Sequence, residues 1–162
     1  MAKKALLALG LLLVLYLGIG WLVHALTPDE RLIRNLLADM EEAYNEGDAG
    51  DCVAPLARDW RHEGYELDRR TLVGAIFQET RERDRELGIQ LTRVEVDEEG
   101  AEVVVTGDHA TVTADATFQH WRRGEWQQSW RFRVHGELVD GDEGWEFVRT
   151  RHEDLEGTQL SR

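Results

Sequence analysis

Residues 110 to 118 read Ala110-Thr111-Val112-Thr113-Ala114-Asp115-Ala116-Thr117-Phe118. Apolar and polar residues alternate there with a period of two, which predicts a β-strand with one buried and one wetted face. The pattern continues on both sides. Downstream, Arg122 to Glu125 holds a turn at Gly124, Trp126 to Val139 reads as a second long strand, and Gly141-Asp142-Glu143-Gly144 turns the chain into a last one with Trp145, Phe147 and Val148. Upstream, Gly107-Asp108 precedes the stretch, Val103 and Val105 alternate before it, and Glu98-Glu99-Gly100 separates them from Ile89, Leu91, Val94 and Val96. Consecutive strands joined by short turns predict an antiparallel sheet, and hence an α+β rather than a βαβ class.

Helices come first in the chain. Thr27-Pro28-Asp29-Glu30 has the form of a capping box with Pro at the first helical position. Leu32, Ile33, Leu36, Leu37, Met40, Ala43 and Tyr44 then recur at three- and four-residue spacing until Gly47 ends the helix. Gly50 to Ala57 reads as a second, short helix. Asp68 is placed to cap a third, whose Leu72, Val73, Ile76 and Phe77 would face inward before a charged, solvated end at Arg81 to Glu86. No internal repeat or low-complexity tract interrupts this order.

The first 26 residues have another character. Residues 5 to 26 contain no Asp, Glu, Lys or Arg, and 22 residues in a helix span about 33 Å, matching a hydrocarbon core of about 30 Å. Lys3 and Lys4 precede this run, so a cytoplasmic lead at 1–4, a transmembrane anchor at 5–26 and an exported domain at 27–162 are expected. The expected location is therefore a single-pass inner cell membrane protein with its domain in the periplasm or extracellular space. The lipid bilayer is the partner of residues 5–26. Val23-His24-Ala25 resembles a signal-peptide cleavage site, but the apolar run is longer than a signal core usually is.

After residue 26 the chain carries 17 arginines, no lysine and 32 acids, a balance of −15 that repels nucleic acid. Such acidity fits either adaptation to salt or a genome that favours Arg codons. Cys52 stands alone, so an exported domain has no internal disulfide and depends on its core, where this thiol reads as a small buried hydrophobe.

The order of elements, with Ala43-Tyr44-Asn45-Glu46-Gly47-Asp48, Leu56-Ala57-Arg58-Asp59 and Gly144-Trp145-Glu146-Phe147-Val148, resembles the nuclear transport factor 2-like superfamily, which includes SnoaL-like and ketosteroid-isomerase-like proteins. The resemblance covers about residues 28 to 152. It implies a cone in which N-terminal helices pack on a curved antiparallel sheet, with Leu56 to Asp59 in the second helix. It also implies a pocket, but the superfamily holds isomerases, dehydratases, cyclases, ligand binders and secretion scaffolds, so fold leaves function open.

Aligned with the isomerase pattern, the oxyanion donor falls at Met40, whose thioether offers no proton, and the base at Gly64, with Glu63 one position away and able to substitute only if the backbone shifts. The second donor, a carboxylic acid in the isomerases, falls around Ser129 and Trp130, where no acid stands. The expected function is a non-catalytic module that binds a small ligand or a protein partner, with the sheet as a candidate homodimer surface. The alternatives are a dehydratase- or hydrolase-type pocket enzyme and a scaffold subunit of an envelope or secretion complex. Tyr44, Trp60, His62, Glu63, Tyr65 and Trp130 are the candidate pocket residues. His62, His109, His120, His135 and His152 show no HExxH or paired spacing, so neither a metal nor a cofactor is expected. Arg131, Arg133, Arg149 and Arg151 read as cross-strand partners of the surplus acids.

Overall fold

The computed structural model describes residues 28–65, 67–83 and 86–157. The anchor expected at 5–26 and Thr27 of the capping box lie outside them. Among the described residues no helix is long and apolar enough to cross a membrane.

Helix α1, Asp29–Glu46, begins at Pro28, which serves as N-cap without a side-chain bond; its carbonyl accepts from Arg31 and Leu32. The helix ends at Gly47, whose φ of +84° is the left-handed closure that favours glycine. Asp48 then accepts from the amides of Gly50 and Asp51 to cap α2, Ala49–Cys52. This second helix is much shorter than expected. Pro55 cannot donate to a helix and disfavours helical geometry in the residue before it, so Leu56 to Asp59 open strand β1, Leu56–His62, instead.

Strand β2, Leu67–Asp68, leads into α3, Arg69–Thr80, where the Asp68 carboxylate accepts from Thr71 N as expected. Leu72, Val73 and Ile76 are half-buried. Phe77 is 53% exposed, contrary to its assignment to the inner face, and the Arg81 guanidinium lies over its ring at 5.1 Å.

Five further strands follow: β3 Thr92–Val96, β4 Glu102–Thr106, β5 His109–Arg122, β6 Glu125–Gly141 and β7 Gly144–Gly157. The order across the sheet is β2-β1-β7-β6-β5-β3, and β4 also pairs with β5. Strands β3 and β4 pair with different halves of β5, forming one interrupted edge. The interruption is held by Arg34 of α1, which donates to the carbonyls of Glu98 and Glu99.

The sheet is mixed, not antiparallel throughout. β1 runs parallel to β7, because the chain must cross the whole sheet before its last strand returns beside the first. Ile89 and Leu91 do not extend β3 either. The inward set is Gln90, Thr92 and Val94, all buried, so Ile89 and Leu91 have the opposite phase, and Gln90 is secured by bonds to the carbonyls of Tyr44 and Thr92.

The core lies between α1, α3 and the inner face of the sheet. Ile33, Leu37, Leu56, Trp60, Val112, Leu138 and Phe147 form its larger part. Ile33 is fully buried, which contributes about 1.5–3 kcal/mol. Gly136 is required on this face, since a Cβ there would sit 2.4 Å from the Phe147 ring. Irregular registers at Phe118/Gln119, Arg131/Phe132 and Glu137/Leu138 bend the long strands around the helices.

Candidate functional site

Ala43, Tyr44, Cys52, Val94, Ala116, Trp130 and Phe132 form a second buried group, of which Tyr44, Cys52, Val94, Ala116 and Phe132 border a cavity of about 280 Å³ between the helices and the sheet. Met40 and Tyr44 come from α1, Ile76 from α3, and Ala114 and Phe118 from alternate inward positions of β5. The wall is almost entirely carbon.

Its few polar groups are already committed. Tyr44 Oη is 3.1 Å from Thr92 Oγ1, and burial pushes the phenol up to about 12, so it stays neutral. Cys52 is likewise pushed up to about 11 by burial, which keeps a thiol where a nucleophile would need a thiolate. Burial raises the pKa of Glu41 above the ordinary value, outweighing the bond that its Oε2 accepts from Val96 N at 2.8 Å.

Trp60, His62, Tyr65 and Trp130 gather elsewhere, toward β1 and β7. His62 Nε2 is 2.9 Å from His152 Nδ1, and His62 Nδ1 is 2.9 Å from Thr150 Oγ1. Tyr65, although 56% exposed, lies flat against both imidazoles at 5.6 and 5.5 Å. The Trp130 ring meets His152 edge to face at 5.3 Å, and its Nε1 donates to Asp154 at 2.7 Å. Burial, followed by the neighbouring His152, lowers the pKa of His62, with Glu63 acting against both. Trp60 is buried in the core, 6.3 Å from the His62 ring.

Glu63 is separate again. It lies 3.5 Å from Arg149 and borders a cavity of about 220 Å³ with Thr111, His135 and Arg151. Those residues alternate with the inward set, so this cavity is on the opposite, outer face. Among the described residues, Thr150 alone borders both cavities. Of the six sequence candidates, therefore, only Tyr44 lines the inner cavity, Trp130 approaches it through Phe118, and Glu63 faces away.

The isomerase positions divide in the same way. Met40 does line the cavity, where the resemblance puts an oxyanion donor. Gly64 sits in the turn after β1 with φ +91°; no atom lies within 4 Å of where a Cβ would stand, and the residue is not part of the cavity wall.

No family model and no curated protein matches the sequence. Solved structures do. An NTF2-like protein with a cystatin-like fold from Novosphingobium aromaticivorans superposes with a TM-score of 0.64 at 18% identity, covering 80% of this chain and 84% of that one. Aln2 from Streptomyces superposes with a TM-score of 0.64 at 16% identity, covering 79% and 92%. The fold is nuclear transport factor 2-like. A protein provisionally named as a scytalone dehydratase, also from Novosphingobium aromaticivorans, has a TM-score of 0.62 at 14% identity and coverage of 82% and 87%. Identities this low establish the nuclear transport factor 2-like fold alone, and its chemistry must come from the site.

Sequence reading missed Thr150 and His152 for a structural reason. Phe147 pairs with Leu138 but Thr150 with Gly136, so one extra residue on β7 shifts the strand's phase. Thr150 and His152 therefore point inward although Phe147, of the other parity, does so too.

Proposed function

We propose that this protein is an outward-facing module, tethered by residues 5–26, whose inner cavity holds a small apolar molecule without transforming it. The observation that carries this reading is the separation of polar groups from the cavity. A proton abstraction needs a base and an oxyanion donor on one substrate, but Met40 is at the cavity, Glu63 is on the other face and His62 is turned to His152. What remains at the cavity is carbon with a neutral phenol, a neutral thiol, the Thr150 hydroxyl bonded to His62 and the Glu41 carboxyl bonded to Val96 N–H, which suits retention of an apolar body.

The test is naphthalene binding by the full chain, followed by saturation-transfer NMR. Ala114→Phe places a ring in the cavity and should weaken binding by at least about tenfold while leaving the far-UV spectrum intact. Undiminished binding in a folded Ala114→Phe variant would put the ligand elsewhere. Non-catalysis is tested separately with an enone steroid. Met40→Tyr with Gly64→Asp should gain no isomerisation, because the new carboxylate at position 64 lies outside the cavity; turnover by the unmodified chain would overturn this part of the reading.

A further inference from the structure

His62 and His152 are placed to hold one proton but not two. Their ring planes are 24° apart and their centroids 5.0 Å apart, with the facing nitrogens at 2.9 Å, so the imidazoles meet nearly edge to edge along a hydrogen bond. In the neutral pair, His62 Nε2–H donates to His152 Nδ1 and the Thr150 hydroxyl donates to His62 Nδ1, an arrangement assigned from the bonding network. One added proton goes to His62 Nδ1. Thr150 then turns from donor to acceptor, and every bond survives. A second proton has only His152 Nδ1 left to occupy on the shared line. It removes the acceptor lone pair and sets two cations face to face at a separation of 2.9 Å.

Charged neighbours offset that repulsion only in part. Glu63 of the turn after β1 is paired with Arg149 of β7, and Arg61 of β1 lies opposite Asp68 of β2. Asp154 of β7 is 4.0 Å from His152 Nε2 but already accepts from Trp130 of β6, while Arg151 and Glu153 have the outward phase. Tyr65 contributes a neutral ring. These carboxylates favour positive charge on either ring, but from 4.0 Å and from exposed positions, whereas the first proton opposes the second across 2.9 Å.

We propose that His62 and His152 form a one-proton latch beside the inner cavity, and that uptake of a second proton parts the rings, releases Thr150 and widens the cavity's opening to solvent. The latch goes beyond the binding reading and does not depend on it. Thr150 is its physical link, bonded to His62 on one side and bordering the cavity on the other.

Cys52 gives a direct readout, since it is the chain's single cysteine, is buried and borders the same cavity. In the full chain in mild detergent, its reaction rate with 4,4′-dithiodipyridine is divided by the rate for the urea-unfolded chain at the same pH, which cancels ordinary thiol ionisation. Between about pH 7.5 and about pH 4.5 the protection should fall by at least about tenfold, with the far-UV spectrum retained. In His152→Gln it should change by less than about twofold, because a lone His62 cation has no cationic partner to repel it. Glu41 borders the cavity and has a raised pKa, so Glu41→Gln serves as a control and should keep the full response.

Protection that does not vary with pH in the native sequence would overturn the latch, as would an equal loss in His152→Gln or a loss that follows collapse of the far-UV signal. Should His152→Gln fail to fold, imidazole nitrogen shifts of the native chain decide. Two coupled protonation steps are expected for the pair, and two independent ordinary ones would refute it.

Discussion

Asn45 grips Val94 with both ends of its amide: Nδ2 donates to the Val94 carbonyl at 2.8 Å, and Oδ1 accepts from Val94 N–H at 2.9 Å. The last turn of α1 thereby takes the place of a neighbouring strand along the edge of β3. Asn45→Ala leaves two part-buried backbone groups unpaired, so a loss of about 2–4 kcal/mol is expected in urea unfolding. A loss below about 0.5 kcal/mol would mean that water replaces the amide without cost.

Gly136→Ala should be destabilising although it adds a single methyl. Its Cβ would meet the Phe147 ring at 2.4 Å and Val112 Cγ1 at 3.1 Å, and overpacking of this kind costs about 1–3 kcal/mol. Thermal unfolding measures it. A variant as stable as the native chain would show that Phe147 has room to withdraw.

Asp115 predicts an acid-dependent effect. The hydrogen bond from Arg133, followed by that residue's charge and by Arg131, holds the Asp115 carboxyl below the usual range. Because the folded value is depressed, the contribution is complete above the unfolded pKa of about 3.9 and is lost as pH falls through the lower, folded value. Asp115→Asn should therefore be less stable than the native chain near neutrality and approach it as pH falls through the depressed folded value, the difference being small because both arginines are about half exposed to screening solvent. A gap that persists unchanged in acid would point to packing instead of charge.

The topology proposed for residues 5–26 is open to a protease experiment. Protease added to intact spheroplasts should digest the domain, since Lys3 and Lys4 would hold the other end in the cytoplasm. Digestion only after permeabilisation would reverse the orientation. A mature N-terminus at Leu26 would replace the anchor by a cleaved signal.

Salt should stabilise the domain that follows residue 26. A balance of −15 on so small a domain repels itself, and chloride salts screen that repulsion within a Debye length of about 3 Å at molar strength. The urea midpoint should rise in molar potassium chloride, and an unchanged or lower midpoint would remove salt adaptation as the reason for the acidity.

Much of the fold was legible because its signals are local. The alternation at Ala110 to Phe118 gives the inward face of β5 directly, and the motif from Ala43 to Asp48 turns out to be a set of fixings: Tyr44 to Thr92, Asn45 to Val94, Gly47 as the helix closure and Asp48 as the next cap. The candidate site was less legible because it depends on contacts between distant strands. His62 and His152 are 90 positions apart, and only the parallel pairing of β1 with β7, plus an extra residue on β7, brings them together. Glu63, one position from His62, went to the wrong face by the same alternation that made the strands readable.

The parallel pairing of β1 with β7 also bears on how the molecule is made. Strand β7 lies between β1 and β6, so every earlier strand can be synthesised while the middle of the sheet is still vacant. A ribosome must release Gly144 to Gly157 before the β1–β2 pair can join the rest of the sheet. Until then the sheet is in two pieces, β2 with β1 and β3 to β6, with no strand between them. Sheet closure is then timed by arrival of the last strand.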